Sequence, residues 1–337
     1  MIVILKPHTP RPEVDFVISE IEKLGYGASP IYGTTQTVIA AIGDETTHNN
    51  LESLNVLPGV ERVVRVQKRY KLVSRDAHPE DTIIDVDGVK IGGGHFAMMA
   101  GPCSVESEKQ LLDTAHAVKA AGATILRGGA YKPRTSPYEF QGLGKEGLRL
   151  LALAKKETGL KIITELLSEL DAEHVAETAD ILQIGARNTQ NFALLIAAAK
   201  TGKPILLKRG MSERIEEWLM AAEYILAHGN PNVLLCERGI RTFETYTRNT
   251  LDLAAVAIAR KESHLPVIVD PSQGAGRADL VKILCRGAVA LGADGLLIEV
   301  HPNPAEALSD GQQQLDLVSY AGLSAELEPF LKAVGKV

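Results

Sequence analysis

From residue 96 onward the chain repeats one pattern eight times, a short apolar run followed by a stretch of helical periodicity. The runs fall at 96–100, 124–126, 161–164, 181–184, 204–207, 233–236, 266–269 and 295–298. Helical segments separate them near 107–121, 144–158, 169–178, 189–200, 212–227, 249–260 and 277–292, and an eighth at 313–334 closes the chain. Short, uniformly apolar runs read as strands buried on both faces, and intervening helices make their pairing parallel. Eight β/α repeats in roughly 240 residues is the arithmetic of an α/β (β/α)8 TIM barrel. A doubly wound sheet is the alternative, but it usually carries a glycine-rich dinucleotide turn after its first strand. Gly92-Gly93-Gly94 precedes a strand and is not that turn.

Residues 1–66 follow another order: strands at 2–6, 28–32, 37–42 and 60–66, with helices at 11–24 and 46–54. Strand, helix, strand, strand, helix, strand is the small ferredoxin-like α+β unit. Residues 67–81 are polar and charged and read as a linker. Beyond them, 82–86 and 89–91 flank Asp87-Gly88, a two-residue hairpin signal, so the barrel domain is expected over 82–337. The small unit carries no reactive cluster; fold analogy alone makes it a regulatory appendage.

In a TIM barrel the chemistry sits at the C-terminal ends of the strands. Those positions read Gly101-Pro102-Cys103-Ser104, Arg127, Thr164-Glu165, Gly185-Ala186-Arg187-Asn188, Lys208-Arg209-Gly210, Glu237-Arg238-Gly239, Asp270-Pro271-Ser272-Gln273-Gly274 and Glu299-Val300-His301-Pro302. The second strand runs into a loop with Lys132, Arg134, Thr135 and Ser136, stiffened by Pro133 and Pro137. The formal charge is −6, which argues against a nucleic-acid partner, so these gathered cations serve a local anion. Guanidinium forks and glycine-exposed amides suit carboxylate and phosphate, which points to small phosphorylated, carboxylated substrates. Arg209 and Arg241 are weaker members, expected behind the site. Cys103, Glu299 and Asp310 could hold a divalent transition ion, although a lone cysteine is more often a buried small residue and Asp310 could be a turn residue. Three scattered cysteines, no signal-peptide pattern and no apolar run near ~20 residues suggest a soluble cytoplasmic protein without a membrane partner.

These strand-end motifs, with the stretch from Leu126 to Tyr138, resemble 3-deoxy-D-arabino-heptulosonate 7-phosphate (DAHP) synthase, in the type I-beta branch with an N-terminal ferredoxin-like regulatory domain. The resemblance implies condensation of phosphoenolpyruvate with erythrose 4-phosphate, the first step of the shikimate pathway. Carried over by position, Arg127, Lys132, Ala186, Arg187, Lys208 and Arg238 would bind phosphoenolpyruvate, and Arg134, Thr135 and Ser136 the erythrose 4-phosphate. Lys132 is the candidate proton donor, with Glu165 and Glu237 as partners for it or for neighbouring arginines. The resemblance also implies a divalent metal (Mn, Fe, Zn or Co), an aromatic amino acid effector at the small domain and a homotetramer. The family's metal set is Cys, His, Glu and Asp. Cys103, Glu299 and Asp310 match three of these, but Gln273 stands where the pattern Asp-Pro-Ser-His has its histidine. A neutral amide is the poorer ligand. Three readings stay open: weakened metal binding with activity kept, metal-independent catalysis, or an altered protein acting as a regulator or on another phosphosugar. His301, on the face of Glu299 if the strand alternates, is a weak substitute ligand. The rival within the same chemistry is 3-deoxy-manno-octulosonate 8-phosphate synthase, which uses arabinose 5-phosphate and lacks the N-terminal domain.

Overall fold

The computed structural model describes residues 1–43, 50–64, 68–134 and 136–337, and the chain divides into two compact units, Met1–Arg69 and Tyr70–Val337. In the first unit, β1 (Ile2–Leu5), β2 (Gly27–Tyr32), β3 (Thr37–Ile42) and β4 (Val60–Val64) form an antiparallel sheet ordered β2-β3-β1-β4. Helix α1 (Arg11–Lys23) has Pro12 in its first turn, where a missing N–H leaves no bond unmade, and buries Val14, Val17 and Ile21 against Val3, Leu5 and Ile39. This is the expected ferredoxin-like unit, with one change. The second helix, expected at 46–54, is a 3₁₀ helix at Leu51–Val56 among the described residues, capped by Asn50 and stopped short of Pro58. Residues 46–49 of that expected helix and residues 65–66 of the last expected strand lie outside the described residues.

The second unit starts at Tyr70. Residues 70–81, expected within a linker, pack on this unit instead. The Glu223 carboxylate accepts the backbone N–H groups of Lys71, Leu72 and Val73 at 3.0, 2.9 and 2.9 Å, and Val73 and Ser74 are buried. Much of the attachment runs through backbone groups, joined by the Tyr70 hydroxyl on Glu262 at 3.0 Å and by Arg75 Nε on the Arg260 carbonyl at 2.8 Å. The hairpin of β5 (Ile84–Val86) and β6 (Val89–Ile91) turns at Asp87 and Gly88, both left-handed, as a tight two-residue turn requires.

Eight parallel strands then close a barrel: β7 (Ala97–Gly101), β8 (Ile125–Arg127), β9 (Lys161–Glu165), β10 (Ile181–Ile184), β11 (Ile205–Lys208), β12 (Val233–Glu237), β13 (Val267–Val269) and β14 (Gly295–Glu299). The helices outside it are α2 (Glu108–Ala120), α3 (Lys145–Thr158), α4 (Ala172–Thr178), α5 (Phe192–Lys200), α6 (Ile215–Ala227) and α7 (Leu253–Glu262), followed by α8 (Pro271–Ala275), α9 (Ala278–Ala290) and α10 (Leu317–Ala333). Alternate strand residues divide the core. Met99, Ile125, Ile163, Leu206, Leu234 and Leu297 fill the interior, together with Ile84, Val86 and Ile91 of the hairpin. Their neighbours, such as Leu126, Ile162, Leu182 and Leu296, pack outward on the helices. The hairpin therefore plugs the end where strands begin, and the other end is left for chemistry. Among the described residues no helix is long and apolar enough to cross a membrane.

Candidate active site

The strand C-termini surround a cavity of about 250 Å3 whose wall holds seven cations, Arg127, Lys132, Arg134, Arg187, Lys208, Arg238 and Arg248, against the carboxylates of Glu139, Glu165 and Asp310. The excess of positive charge suits polyanionic ligands.

At the end of β7 the chain must turn beside β8. Gly101 has φ 155°, and a Cβ there would lie 2.1 Å from the Arg127 carbonyl oxygen, so only glycine fits. The turn brings the Pro102 carbonyl within 2.7 Å of Arg127 Nη1, which also pairs with Glu299 Oε1 at 3.2 Å. Burial works against the Arg127 charge, but Glu299 and the other negative groups around it outweigh burial and hold its pKa up. Cys103 is fully buried. Burial, and then the negative charge of Glu299, push its thiol up to about 11, so at neutral pH it is protonated and donates to Asp310 Oδ2 at 3.5 Å.

Lys132 Nζ donates to the Cys103 carbonyl at 3.2 Å and to Cys103 Sγ at 3.1 Å. Burial alone would favour its neutral amine. Its surroundings, the Cys103 sulfur and the carboxylates of Glu165 and Glu299, outweigh burial and hold its pKa up. On β10, Gln183 Nε2 donates to Glu165 Oε2 at 3.4 Å, and Gly185 leaves room for that carboxylate, since a Cβ would fall 2.0 Å from Glu165 Oε1. Arg187 is exposed at the cavity wall and has no ion pair among the described residues. Arg134 pairs with Glu139 at 2.8 Å.

Lys208, at the end of β11, is buried against Asp270, with Nζ 2.6 Å from Oδ2. Asp270 also caps α8, its Oδ1 accepting the Gln273 N–H at 2.9 Å. That helix has five residues, too few for an apolar period to repeat, so periodicity does not mark it. Arg209 lies behind the wall, between Glu237 and Asp252 at 3.0 Å each. Glu237 thus serves an arginine, not Lys132; burial pushes its carboxyl up, and Arg209 opposes this.

The sequence reading placed most of the wall, with exceptions. Thr135 lies outside the described residues. Ser136 is not in the wall; its Oγ accepts the Tyr138 N–H at 3.3 Å. His301 is no substitute ligand: its Nδ1 accepts from the Asn303 N–H at 3.1 Å and its Nε2 faces Glu106 Oε2 at 3.2 Å. Arg248 was missed. It lies in the long loop after β12, and its Nη1 is 3.2 Å from Asp310 Oδ1.

Cys103, Glu299 and Asp310 each bring one ligand atom within 4.8 Å of the others, a donor set able to hold a divalent ion. The fourth position does not complete it. Gln273 presents its N–H2 to the carboxylates, Nε2 lying 3.0 Å from Glu299 Oε1 and 3.3 Å from Asp310 Oδ2. As arranged, the four residues do not fit an ion.

Residues 74–333 match the DAHP synthetase I family. The chain belongs to that family. Residues 1–68 match the DAHP synthase ferredoxin-like domain. Among curated relatives, phospho-2-dehydro-3-deoxyheptonate aldolase of Thermotoga maritima is 53% identical over 337 residues, covering 99% of each chain. A 2-dehydro-3-deoxyphosphooctonate aldolase of a Geobacter species is 35% identical over 266 residues, covering 73% of this chain and 96% of its own. The crystal structure of the Thermotoga maritima DAHP synthase superposes with a TM-score of 0.94 at 52% identity, over 99% of this chain and 98% of that one. A truncated form of the Thermotoga maritima enzyme superposes with a TM-score of 0.75 at 53% identity, covering 79% of this chain and 98% of its own.

Proposed function

We propose that this member of the DAHP synthase family condenses phosphoenolpyruvate with erythrose 4-phosphate and water, in the cation-lined cavity, to give DAHP and inorganic phosphate. The observation that carries the reading is the gathering of seven cations around one cavity, with Lys132 buried in its wall. Arg127, Lys132, Arg187, Lys208 and Arg238, with the backbone of Ala186, hold the carboxylate and phosphate of phosphoenolpyruvate. Arg134, two residues beyond Lys132 in the same loop, takes the phosphate of the sugar, with Thr135 next to it in sequence.

In the step itself C3 of phosphoenolpyruvate forms a bond to the aldehyde carbon, and the aldehyde oxygen becomes a hydroxyl by taking a proton from Lys132. Positive charge develops at C2, where water adds. Glu165 is the wall carboxylate outside any ion pair among the described residues, and it accepts the proton that water gives up. The C2–O bond to phosphate then breaks, the C2 hydroxyl passes its remaining proton to the departing phosphate, and C2 is left as the ketone. The cations position both substrates and balance their charge without reorganising. A divalent ion on Cys103, Glu299 and Asp310 would have to displace the Gln273 amide.

The ferredoxin-like unit is read as the receptor of an aromatic amino acid effector, and a cytoplasmic homotetramer as the working form. The test is phosphoenolpyruvate consumption with erythrose 4-phosphate. Lys132→Ala is expected to lower kcat about 10³-fold with the fold intact by circular dichroism. Unchanged turnover in that variant would remove Lys132 from the reaction.

A further inference from the structure

Every carboxylate oxygen of the Cys103, Glu299 and Asp310 cluster already has a protein donor. Glu299 Oε1 receives Arg127 Nη1 at 3.2 Å and Gln273 Nε2 at 3.0 Å, and Glu299 Oε2 receives Gln313 Nε2 at 2.7 Å. Asp310 Oδ1 faces Arg248 Nη1 at 3.2 Å, and Oδ2 receives Gln273 Nε2 at 3.3 Å and the Cys103 thiol at 3.5 Å. Arg127 and Arg248 balance the two negative charges. One side chain joins the two acids, the Gln273 carboxamide. It cannot easily turn round. Its Oε1 accepts from Arg238 Nη2 at 3.2 Å, so turning the oxygen toward an ion would set its N–H2 against a guanidinium. Its backbone is pinned as well, its N–H held by Asp270 Oδ1 at 2.9 Å and its carbonyl by Asn249 Nδ2 at 2.9 Å.

We propose that the Gln273 N–H2 takes the bridging place between Glu299 and Asp310 that a divalent cation would otherwise take, and that this site is built to stand and to work without a resident metal. Gln273 is then a positioning residue. It holds the two carboxylates, and through Glu299 it holds Arg127 in the wall. The statement about turnover rests on the reaction proposed above; the statement about metal does not.

The test strips wild type and Gln273→His with a chelator, then titrates each with manganese(II) while following bound ion and melting temperature. Wild type is expected to bind manganese about 100-fold or more weakly than Gln273→His. Its melting temperature should be the same with chelator or manganese, whereas Gln273→His should melt higher with manganese. Stripped wild type is expected to go on consuming phosphoenolpyruvate. If Gln273→His fails to fold, Gln273→Glu replaces it, since a third carboxylate among these acids calls for a cation. One tightly held manganese per wild-type chain, or wild-type turnover that chelation abolishes and manganese restores, overturns the proposal. Should no protein consume phosphoenolpyruvate with or without manganese, the reaction assignment fails, and the titration still decides the question of metal.

Discussion

A single methyl group separates two outcomes at Gly185. With alanine there, the Cβ would fall 2.0 Å from Glu165 Oε1, so the carboxylate must swing away while the barrel stays closed. Gly185→Ala is expected to lower kcat about 10²-fold with little change in melting temperature, since a shift of about 1 Å in a reacting group costs that much. Wild-type kinetics in the variant would mean that Glu165 takes no part. The buried Lys208 and Asp270 pair is different in kind. Lys208→Met leaves a carboxylate in the core without its cation, which costs about 3–5 kcal/mol in urea unfolding; a loss below about 1 kcal/mol would show that the pair is not holding the barrel end together. Both positions were legible, because strand-end residues can be picked out by counting from each apolar run. Arg248 and Gln313 were not. They come from loops without a period, and only the closed chain brings them to Asp310 and Glu299. The same holds for His301, whose place beside Glu299 along the strand said nothing about Glu106 and Asn303, its actual partners.

Elements buried on both faces announce themselves, which is why all eight barrel strands could be read in advance and the five-residue α8 could not. The segment at 70–81 misled for a related reason: its attachment to α6 and α7 runs largely through backbone groups that a composition cannot show. One imidazole there makes the attachment sensitive to acid. His264 Nε2 donates to the Leu72 carbonyl at 2.8 Å, so Nδ1 accepts the Thr82 hydroxyl at 2.6 Å and the ring is neutral. Burial holds its pKa below the usual 6.5, opposed by the bond to the Leu72 carbonyl and by Asp81 and helped by the charges of His78 and Arg75. A depressed folded-state value means that its contribution to stability is complete above pH 6.5 and is lost as pH falls through the lower folded value. Melting temperature is therefore expected to fall less between pH 7 and 5 in His264→Gln than in wild type. Parallel curves would show that the ring does not titrate on unfolding in this window.

The molecule joins a barrel with its own plugged core to a small sheet domain with another, and the two cores share no residue. Residues 70–337 are accordingly expected to fold and melt cooperatively without residues 1–69, and to keep turnover while losing any response to an aromatic amino acid. An insoluble fragment, or one still inhibited by tyrosine or phenylalanine, would contradict that division of labour. The function of the whole molecule turns on which bond the cavity makes. It is tested most directly by counting phosphate released per phosphoenolpyruvate consumed, with erythrose 4-phosphate and with arabinose 5-phosphate, on one chelator-stripped preparation. One phosphate is expected for each phosphoenolpyruvate with erythrose 4-phosphate, and a rate at least about 10²-fold lower with the five-carbon sugar. No release with erythrose 4-phosphate, or faster release with arabinose 5-phosphate, would contradict it.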